Sequence, residues 1–435
     1  MEKVKIHDIT QDGRGVGRLE SGRVIMVPGC FPGDEISADV QETKSAKGAL
    51  SGTLNEIIVN SPHRGTHPCD HFSQGCSGSI LGALKYEYTT DWKLNHLSET
   101  LRRIGGVKNS RIEPIIPSIE QWNYRDRIEL QVVPEEAGLR PAFHGLDGPV
   151  PVKSCSLAMP SINKVLKSIK LGFSESDEEL FRNFKPRLLL RDNGHDEAVA
   201  VLFLFCSPNL KVPVRFKDWL LDLDLAGWQI RLAKTTELRF SKSTTAMKRG
   251  KSDISIKTSI GEISADPTVF TQVNWSMADT LIKTALAHAP DGGKLLDLYG
   301  GYGAFGLEYA IRGGNAEVID SAGASVAAGG KFAKRKDLAV VFNTLDLNKN
   351  PFLIGVKSTR DACIVDPPRS GIGQKMRKWL QIKGPKRLIY VSCHPAALAR
   401  DISALSDYKP VVFYPVDMFP NTPDVETIAI FDKKS

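Results

Sequence analysis

The first 58 residues alternate short apolar runs with residues that favour turns. The turn signals include Asp12-Gly13, Pro28-Gly29 and Pro32-Gly33-Asp34. Short strands separated by tight turns at this spacing are typical of small closed sheets. We therefore predict a small β-barrel over residues 1–60.

The final third of the chain alternates strand-like apolar runs with helical segments. The strand-like runs are residues 294–299, 316–320, 338–342, 361–366, 386–391 and 410–414, and the helical segments include Ala304 to Arg312 and Pro395 to Leu405. Such alternation produces an α/β domain with a doubly wound parallel sheet, in which ligands bind at the carboxyl ends of the strands. We predict a Rossmann-like domain over residues 266–435.

The region between these two domains mixes both kinds of pattern. Apolar side chains recur at helical spacing over residues 86–104, namely Trp92, Leu94, Leu97, Leu101 and Ile104, which predicts an amphipathic helix. Strand-like runs such as residues 128–133 and 198–204 alternate with helical patches as far as residue 265. We predict a central α+β domain over residues 61–265, of which residues 86–120 can pack on the C-terminal domain instead.

Length and composition fit a cytoplasmic protein. A chain of 435 residues is too long for one hydrophobic core. Its contents of 41% hydrophobic and 25% charged residues are ordinary for a globular protein. No apolar run is long enough to span a bilayer, and the first residues lack the apolar core of a signal peptide. We therefore expect no membrane association, and no feature implies a protein partner.

Basic residues concentrate in two stretches. The net charge is +7, yet residues 1–60 hold 7 Lys/Arg against 9 Asp/Glu. Lys234 to Lys257 holds 7 basic and 2 acidic residues, and Gln374 to Arg387 holds 6 basic and none acidic. Such stretches suit contacts with nucleic-acid phosphates, although each can also be a solvated face.

A glycine-dense segment, residues 295–306, carries an apolar strand through a loop into a helix. Gly301, Gly303 and Gly306 match the dinucleotide fingerprint, and Asp320 at the end of the next strand can bind a ribose. Asp297 precedes the loop, where its charge would attract the sulfonium or amino group of S-adenosylmethionine and repel a pyrophosphate. Methyl-donor binding is favoured, and nicotinamide binding stays open.

Two further motifs place reactive side chains at later strand ends. Asp366-Pro367-Pro368-Arg369 holds a carboxylate in a rigid turn. Cys393 follows a strand and precedes the helix that opens at Pro395, so the helix dipole is expected to lower its pKa and activate it as a nucleophile. A half-buried structural thiol is the alternative.

The seven cysteines do not suggest a secreted disulfide framework. Cys69 and Cys76 lie in a polar loop, residues 67–79, and Cys155 lies in a similar context. These three thiols are candidate metal ligands.

Taken together, the motifs resemble the RNA uracil-5-methyltransferase family over nearly the whole chain. The barrel resembles the family's TRAM domain and the cysteine loop its iron-sulfur site. The methyltransferase motifs follow in order: residues 270–274, the glycine loop, residues 366–369, residues 392–395 and residues 419–427.

The resemblance implies roles for individual residues. Cys393 would add to carbon 6 of uracil, after which carbon 5 takes the methyl group of S-adenosylmethionine and Glu426 removes the carbon-5 proton. Read locally, Glu426 only opens an exposed strand. Asp366 would bind the uracil edge or the cofactor, and the remaining cofactor positions are Gln272, Tyr299, Ala304, Asp320 and Asp346. The target base must be flipped out of its RNA.

This chain departs from the family pattern at several positions. The family usually has C-x5-C-x2-C and a distant fourth cysteine, whereas here six residues separate Cys69 from Cys76 and Ser79 replaces the third thiol. A four-iron cluster held by Cys69, Cys76 and Cys155 is thus an open alternative to zinc or plain thiols. His394 replaces the usual Asn, Pro423 the usual His, Gly300 a Cys and Asp320 a Glu.

Three functions stay open at this point. The favoured one is uracil-5 methylation of RNA, with 23S ribosomal RNA ahead of transfer RNA because a separate barrel marks the ribosomal type. The others are an NAD-dependent oxidoreductase, which has no use for Cys393, and an RNA-binding protein whose catalytic centre has decayed.

Overall fold

The structure is a computed structural model. It describes residues 1–41, 48–135, 138–145, 148–169, 175–206, 211–235, 243–354 and 360–434. Residues 236–242 of the basic stretch Lys234 to Lys257 lie outside the described residues. None of the helices in the described ranges has the length and apolarity needed to cross a membrane.

The N-terminal strands form the predicted closed barrel. Its strands are β1 (Glu2–Ile9), β2 (Gly15–Arg18), β3 (Val24–Val27), β4 (Glu35–Gln41) and β5 (Leu50–Val59), in the order β1-β2-β3-β5-β4. Alternate side chains point inward, as the strand period requires. Ile6, Ile25 and Ile36 are almost fully buried in the barrel core.

Helix α1 (Tyr86–Arg103) packs against the C-terminal domain, and a two-residue strand, β6 (Arg111–Ile112), joins the sheet of that domain. Trp92, Leu97 and Leu101 of the predicted apolar face are buried. Ile104 is exposed, because it lies at the end of the helix. Lys93 is fully buried on the same helix, which the apolar pattern did not predict.

The central region is a mixed α+β unit. Its seven-stranded sheet has the order β13-β12-β11-β10-β7-β8-β9, and β14 and β15 form a separate ribbon. The elements are β7 (Arg127–Glu135), β8 (Gly138–His144), β9 (Pro149–Pro151), α2 (Pro160–Ser168), α3 (Glu175–Phe184), β10 (Arg187–Asp192), β11 (Ala198–Phe205), α4 (Val214–Leu221), β12 (Gly227–Ala233), β13 (Thr244–Gly250), β14 (Ile254–Thr258) and β15 (Gly261–Ala265).

The C-terminal domain is built on an eight-stranded sheet of order β18-β17-β16-β19-β20-β22-β21-β6. Its elements are α5 (Trp275–Leu286), β16 (Lys294–Leu298), α6 (Ala304–Ile311), β17 (Asn315–Asp320), α7 (Gly323–Arg335), β18 (Val340–Thr344), β19 (Ala362–Val365), α8 (Gln374–Lys383), β20 (Arg387–Ser392), α9 (Pro395–Ala404), β21 (Tyr408–Val416) and β22 (Glu426–Lys433). Strands β16 to β20 are parallel, as predicted.

The last two strands differ from the predicted parallel sheet. Strand β22 inserts between β20 and β21 and runs antiparallel to both. A short loop can join only antiparallel neighbours, and residues 417–425 are too few for a parallel crossover. This arrangement brings Glu426, the first residue of β22, beside the end of β20. The domain limits at residues 60 and 265 stay a prediction.

Candidate active site

The glycine loop turns sharply between β16 and α6. Tyr299, Gly301 and Gly303 all have positive φ angles, of 59°, 59° and 87°. At Gly303 a Cβ atom would lie 2.8 Å from the Phe342 ring, so only glycine fits this left-handed position against the sheet. The loop thereby presents its backbone to the carboxyl ends of the strands.

Asp297 supports this loop from beneath. Its carboxyl group is fully buried, and its Oδ2 accepts a hydrogen bond of 2.9 Å from the Gly306 amide. Burial raises its pKa to about 7. The expectation that Asp297 faces the cationic part of a ligand therefore gives way to a structural role at the helix start.

One cavity of about 550 Å³ brings together most of the predicted site residues. Gln272, Tyr299, Asp320, Asp346 and Asp366 line it, and so do Cys393 and Glu426. Catalytic and cofactor candidates from five separate motifs therefore share one cleft at the carboxyl ends of the strands.

Ala304 is placed differently. It is the first residue of α6 and lines a second cavity, of about 340 Å³, which also involves Gln272. Its predicted contact with the cofactor has no counterpart in the lining of the larger cavity.

Hydrogen bonds fix the orientation of the cofactor candidates. The two carboxylate oxygens of Asp320 accept from the amides of Gly301, at 3.0 Å, and Ala322, at 2.6 Å. The Tyr299 hydroxyl donates to Asn348 Oδ1 at 3.0 Å. Gln272 Nε2 donates to Asp366 Oδ2 at 3.4 Å, which connects the segment before α5 to the end of β19.

Cys393 lies between the end of β20 and the start of α9, as the sequence predicts. His394 is the N-cap of α9, and its Nδ1 accepts a hydrogen bond of 3.2 Å from the Ala397 amide. A histidine here thus does what an Asn cap would do.

The expected lowering of the Cys393 pKa is wrong. Burial and the nearby charge of Glu426 raise the pKa of the thiol to about 12, and the charge of Arg369 opposes this rise. The dipole at the start of α9 does not lower the pKa enough to offset the combined effect of desolvation and the Glu426 carboxylate. The thiol is therefore protonated in the RNA-free protein at neutral pH.

Glu426 is buried rather than exposed. Only 2% of its surface is accessible, and its Oε1 has no hydrogen-bond partner among the described residues. Burial and the charge of Asp366 raise the pKa of Glu426 well above its usual value. Burial also raises the pKa of Asp366, to about 8. An orphaned carboxyl oxygen facing a cavity suits a group that acts on a bound ligand.

Several cavity residues carry no sequence-predicted role. Arg369 donates to both carboxylate oxygens of Asp424, at 2.7 and 3.1 Å. The Phe270 ring is 54% exposed, with the Arg127 guanidinium 5.5 Å from its centre. Arg125 is half-buried, and its Nε has no hydrogen-bond partner among the described residues. The two arginines at positions 125 and 127 could have indicated an RNA-binding surface in the sequence. Nothing in the pattern of residues 123–127, however, distinguishes them from an ordinary strand start.

The three candidate metal ligands lie around another cavity, of about 470 Å³. Cys69, Cys76 and Cys155 line it, and burial raises the pKa of the Cys76 and Cys155 thiols. Within the described ranges, no group of three or more His, Cys, Asp or Glu side chains could hold one metal ion.

Ser79 has a different task in this loop. Its Oγ lies 3.2 Å from His67 Nε2, and its carbonyl oxygen lies 2.9 Å from the same nitrogen. The residues present therefore do not fit a cluster that needs four thiolates.

The cavity fits the methyl donor, in contrast. Asp320 lines it with a carboxylate that can accept further hydrogen bonds, and a bound sulfonium ion would favour the ionised form of the buried Asp366 carboxyl.

Comparison with known proteins agrees with this chemistry. Residues 354–434 match the family model described as tRNA (Uracil-5-)-methyltransferase. The chain is 28% identical over its whole length to an uncharacterized RNA methyltransferase of Halalkalibacterium halodurans, covering 97% of that protein. It is 27% identical to the 23S rRNA (uracil(1939)-C(5))-methyltransferase of Stenotrophomonas maltophilia, over 99% of this chain and 97% of that one.

A solved structure shares the fold over the full length. The tRNA (uracil-54, C5)-methyltransferase of Pyrococcus abyssi, in complex with S-adenosyl-L-homocysteine, superposes with a TM-score of 0.72 at 24% identity, over 99% of this chain and 100% of that chain. The motifs, the cavity and these relatives agree on one point: the chain is similar over its whole length to S-adenosylmethionine-dependent RNA uracil-5-methyltransferases.

Proposed function

We propose that this enzyme methylates carbon 5 of a specific uridine in 23S ribosomal RNA through a covalent adduct with Cys393. The observation that carries the proposal is that Cys393 and Glu426 line the same cavity as the glycine loop and Asp320. Nucleophile, base and cofactor site then act on one flipped-out base.

Gln272, Tyr299, Asp320 and Asp346 would hold S-adenosylmethionine, with the Gly301 backbone beside them. The cofactor supplies an electrophilic methyl group. Asp320 would accept from the ribose hydroxyls. Asp366 is held by Gln272, at the point where the cofactor and base sites meet, so its carboxyl can bind either the uracil edge or the cofactor.

Cys393 would activate the base by adding to carbon 6. The thiol gives its proton to water as the bond from sulfur to carbon 6 forms, and the electrons of the C5–C6 double bond move onto the carbonyl oxygen at carbon 4. Carbon 5 becomes nucleophilic as a result. Arg369 favours the thiolate, since its charge lowers the pKa of Cys393.

Glu426 would complete the reaction. After methylation it removes the proton from carbon 5, the bond from sulfur to carbon 6 breaks, and the double bond of the pyrimidine returns. Because burial raises the pKa of Glu426, its carboxylate is a stronger base once ionised than an exposed glutamate would be.

The rim of the cavity suits single-stranded RNA. The exposed Phe270 ring can stack on a base, and Arg127 and Arg369 can contact phosphates or base edges. Ribosomal RNA is our first choice because the barrel resembles that of the ribosomal type. The tRNA enzyme of Pyrococcus abyssi matches 99% of this chain, barrel included, so the barrel alone does not exclude transfer RNA, which is the second candidate.

Methyl transfer from a tritiated donor tests the proposal. We expect label in a 23S ribosomal RNA fragment and none after Cys393→Ala. RNA containing 5-fluorouridine should form a stable covalent adduct with the wild-type protein only, because fluorine at carbon 5 cannot leave as a proton.

Other outcomes identify the competing functions. Label in transfer RNA alone would replace the ribosomal substrate. Reduction of a nicotinamide cofactor without label would indicate an oxidoreductase, and RNA binding without label or adduct would indicate a decayed enzyme.

A further inference from the structure

The loop that precedes Glu426 is a closed hairpin loop, residues 417–425, between β21 and β22. Val416 and Glu426 are the last paired residues of the two strands, so the 417–425 loop begins opposite the catalytic candidate. Phe419 and Asp424 of this loop line the same cavity as Cys393. A shift of this loop would therefore displace the backbone that leads directly into Glu426.

A fully buried ion pair fixes the first residue of this loop. Lys93 of α1 donates from Nζ to Asp417 Oδ1 at 2.6 Å, and both side chains have no accessible surface. The same Nζ donates to the Phe419 carbonyl oxygen at 2.9 Å. One ammonium group thus holds both the side chain at position 417 and the backbone two residues later.

The second oxygen of Asp417 is also bound. Tyr86, at the start of α1, donates its hydroxyl to Asp417 Oδ2 at 2.8 Å, and this hydroxyl accepts from the Ser118 amide at 2.7 Å. The Asp417 amide donates to the Ile116 carbonyl oxygen at 2.9 Å. Helix α1 and the segment that follows it therefore both hold Asp417 by hydrogen bonds.

Neutral hydrogen bonds hold the middle of the loop. The Tyr124 hydroxyl donates to the Pro420 carbonyl oxygen at 3.1 Å, and the Asn421 side chain donates to the Gln121 carbonyl oxygen at 2.7 Å. Asn421 itself has a positive φ of 63°, a conformation that needs such support.

We propose that Lys93 and Asp417 are positioning residues for proton removal, which hold the 417–425 loop so that Glu426 reaches carbon 5 of the bound uracil. This inference rests on the proposed function for the role of Glu426, whereas the anchoring of the loop does not depend on it.

Stability alone does not account for such a pair. Desolvation of two charges offsets much of their attraction, and apolar replacements of similar volume are often as stable. A short ion pair with every acceptor satisfied restricts position strongly, and an error of about 1 Å in a reacting group can cost about 100-fold in rate. The ion pair therefore fixes the position of the 417–425 loop relative to α1.

The test uses the double variant Lys93→Met/Asp417→Asn, which removes both charges and keeps an acceptor for the Tyr86 hydroxyl. We expect kcat on uridine RNA to fall by about 10- to 100-fold, with little change in the KM for S-adenosylmethionine. The rate of adduct formation with 5-fluorouridine RNA at saturation should stay within about threefold of wild type, because that reaction stops before proton removal.

Matched variants separate positioning from general damage. Lys93→Arg keeps the charge and should recover part of kcat, and Lys283→Met, which breaks an exposed pair with Asp279, should leave both reactions unchanged. A parallel loss of turnover and adduct formation would show a merely structural role and overturn the proposal. Unchanged turnover would overturn it as well.

Hydrogen exchange tests the anchoring without any activity. The amides of Leu81 and Thr422 donate to the Asn421 and Phe419 carbonyl oxygens, and both should exchange faster in the double variant, while amides of β16 and β19 do not. If the wild-type enzyme transfers no methyl group, the proposed function fails, but faster exchange at these amides would still support the anchor. Unchanged exchange would refute the anchor whatever the activity.

Discussion

Gln11, in the first turn of the barrel, donates a hydrogen bond of 3.0 Å from Nε2 to Asp424 Oδ1, which lies in the wall of the catalytic cavity. The same carboxylate accepts two bonds from Arg369. The barrel thus contacts a charged pair that lines the same cavity as Cys393. Asp424 lies only two residues before Glu426, so this contact joins the N-terminal strands to the residue that acts as base in our proposal.

The charges of this pair act in opposite directions on Cys393. Arg369 lowers the pKa of the thiol and Asp424 raises it. We expect Arg369→Gln to slow the alkylation of Cys393 by iodoacetamide at pH 8 by roughly tenfold, and Asp424→Asn to speed it by a smaller factor. The measurement is the alkylation rate between pH 7 and 10, with Cys393→Ala as background. Equal profiles for both variants would contradict this account of the thiol.

Glu426→Gln should separate the two halves of the reaction. An amide cannot remove the carbon-5 proton, so turnover on uridine RNA is expected to fall by at least about 100-fold. Addition of Cys393 to carbon 6 should continue, and the RNA should remain attached to the protein after methylation. Gel analysis with labelled RNA and labelled methyl donor checks this, because both labels should migrate with the protein. Loss of adduct together with turnover would assign Glu426 to an earlier step.

The sequence predicted those parts of the fold and site that depend on local patterns. The strands of the parallel sheet follow from continuous apolar runs, and Cys393 lies at its expected place because a strand, one polar residue and a proline define the start of α9. The barrel followed from its turns. These features need no knowledge of distant contacts.

Other features depend on contacts between residues far apart in the chain. The pKa of Cys393 rises because Glu426 and burial outweigh the end of α9, and neither factor is visible in residues 391–395. Glu426 is buried because β22 inserts between β20 and β21. The buried Lys93 interrupts an apolar helix face, and only its partner on the 417–425 loop explains it.

Asp366→Asn should stabilise the folded protein relative to wild type, and this difference should grow as the pH rises. The folded-state pKa of Asp366 is about 8, against 3.8 for a free carboxyl group. Between these values the folded state binds more protons than the unfolded state, so the stability of the wild type falls with increasing pH. The variant lacks this loss, so it should be clearly more stable than wild type at pH 8 and should differ little from it at pH 4. Thermal unfolding of both proteins at several pH values measures the difference, with Asp279→Asn as an exposed control. A constant difference across this range would contradict the raised pKa.

The cysteine loop is expected to keep its structure without iron. The His67 ring stacks on the Phe72 ring, with their centres 4.3 Å apart, and its Nε2 contacts Ser79. Its Nδ1 accepts from the Cys69 amide at 3.0 Å, so one imidazole closes the loop that a metal cluster would otherwise close. Protein purified without oxygen should contain less than about 0.1 iron atom per chain, and chelation should not change its unfolding temperature.

Two variants test the roles of His67 and Ser79 separately. His67→Ala removes the ring contact and the acceptor for the Cys69 amide, so we expect a loss on the order of 2 kcal/mol in stability. Ser79→Cys supplies a fourth thiol, and after reconstitution with iron and sulfide under argon it should gain the visible absorption of an iron-sulfur cluster, which we expect the wild type not to show. Stoichiometric iron in the wild type, with unfolding on chelation, would show that three thiols and a serine hold a cluster after all. The Cys155→Ser variant would then lose this iron, whereas Cys30→Ser, a buried thiol in the barrel, would keep it.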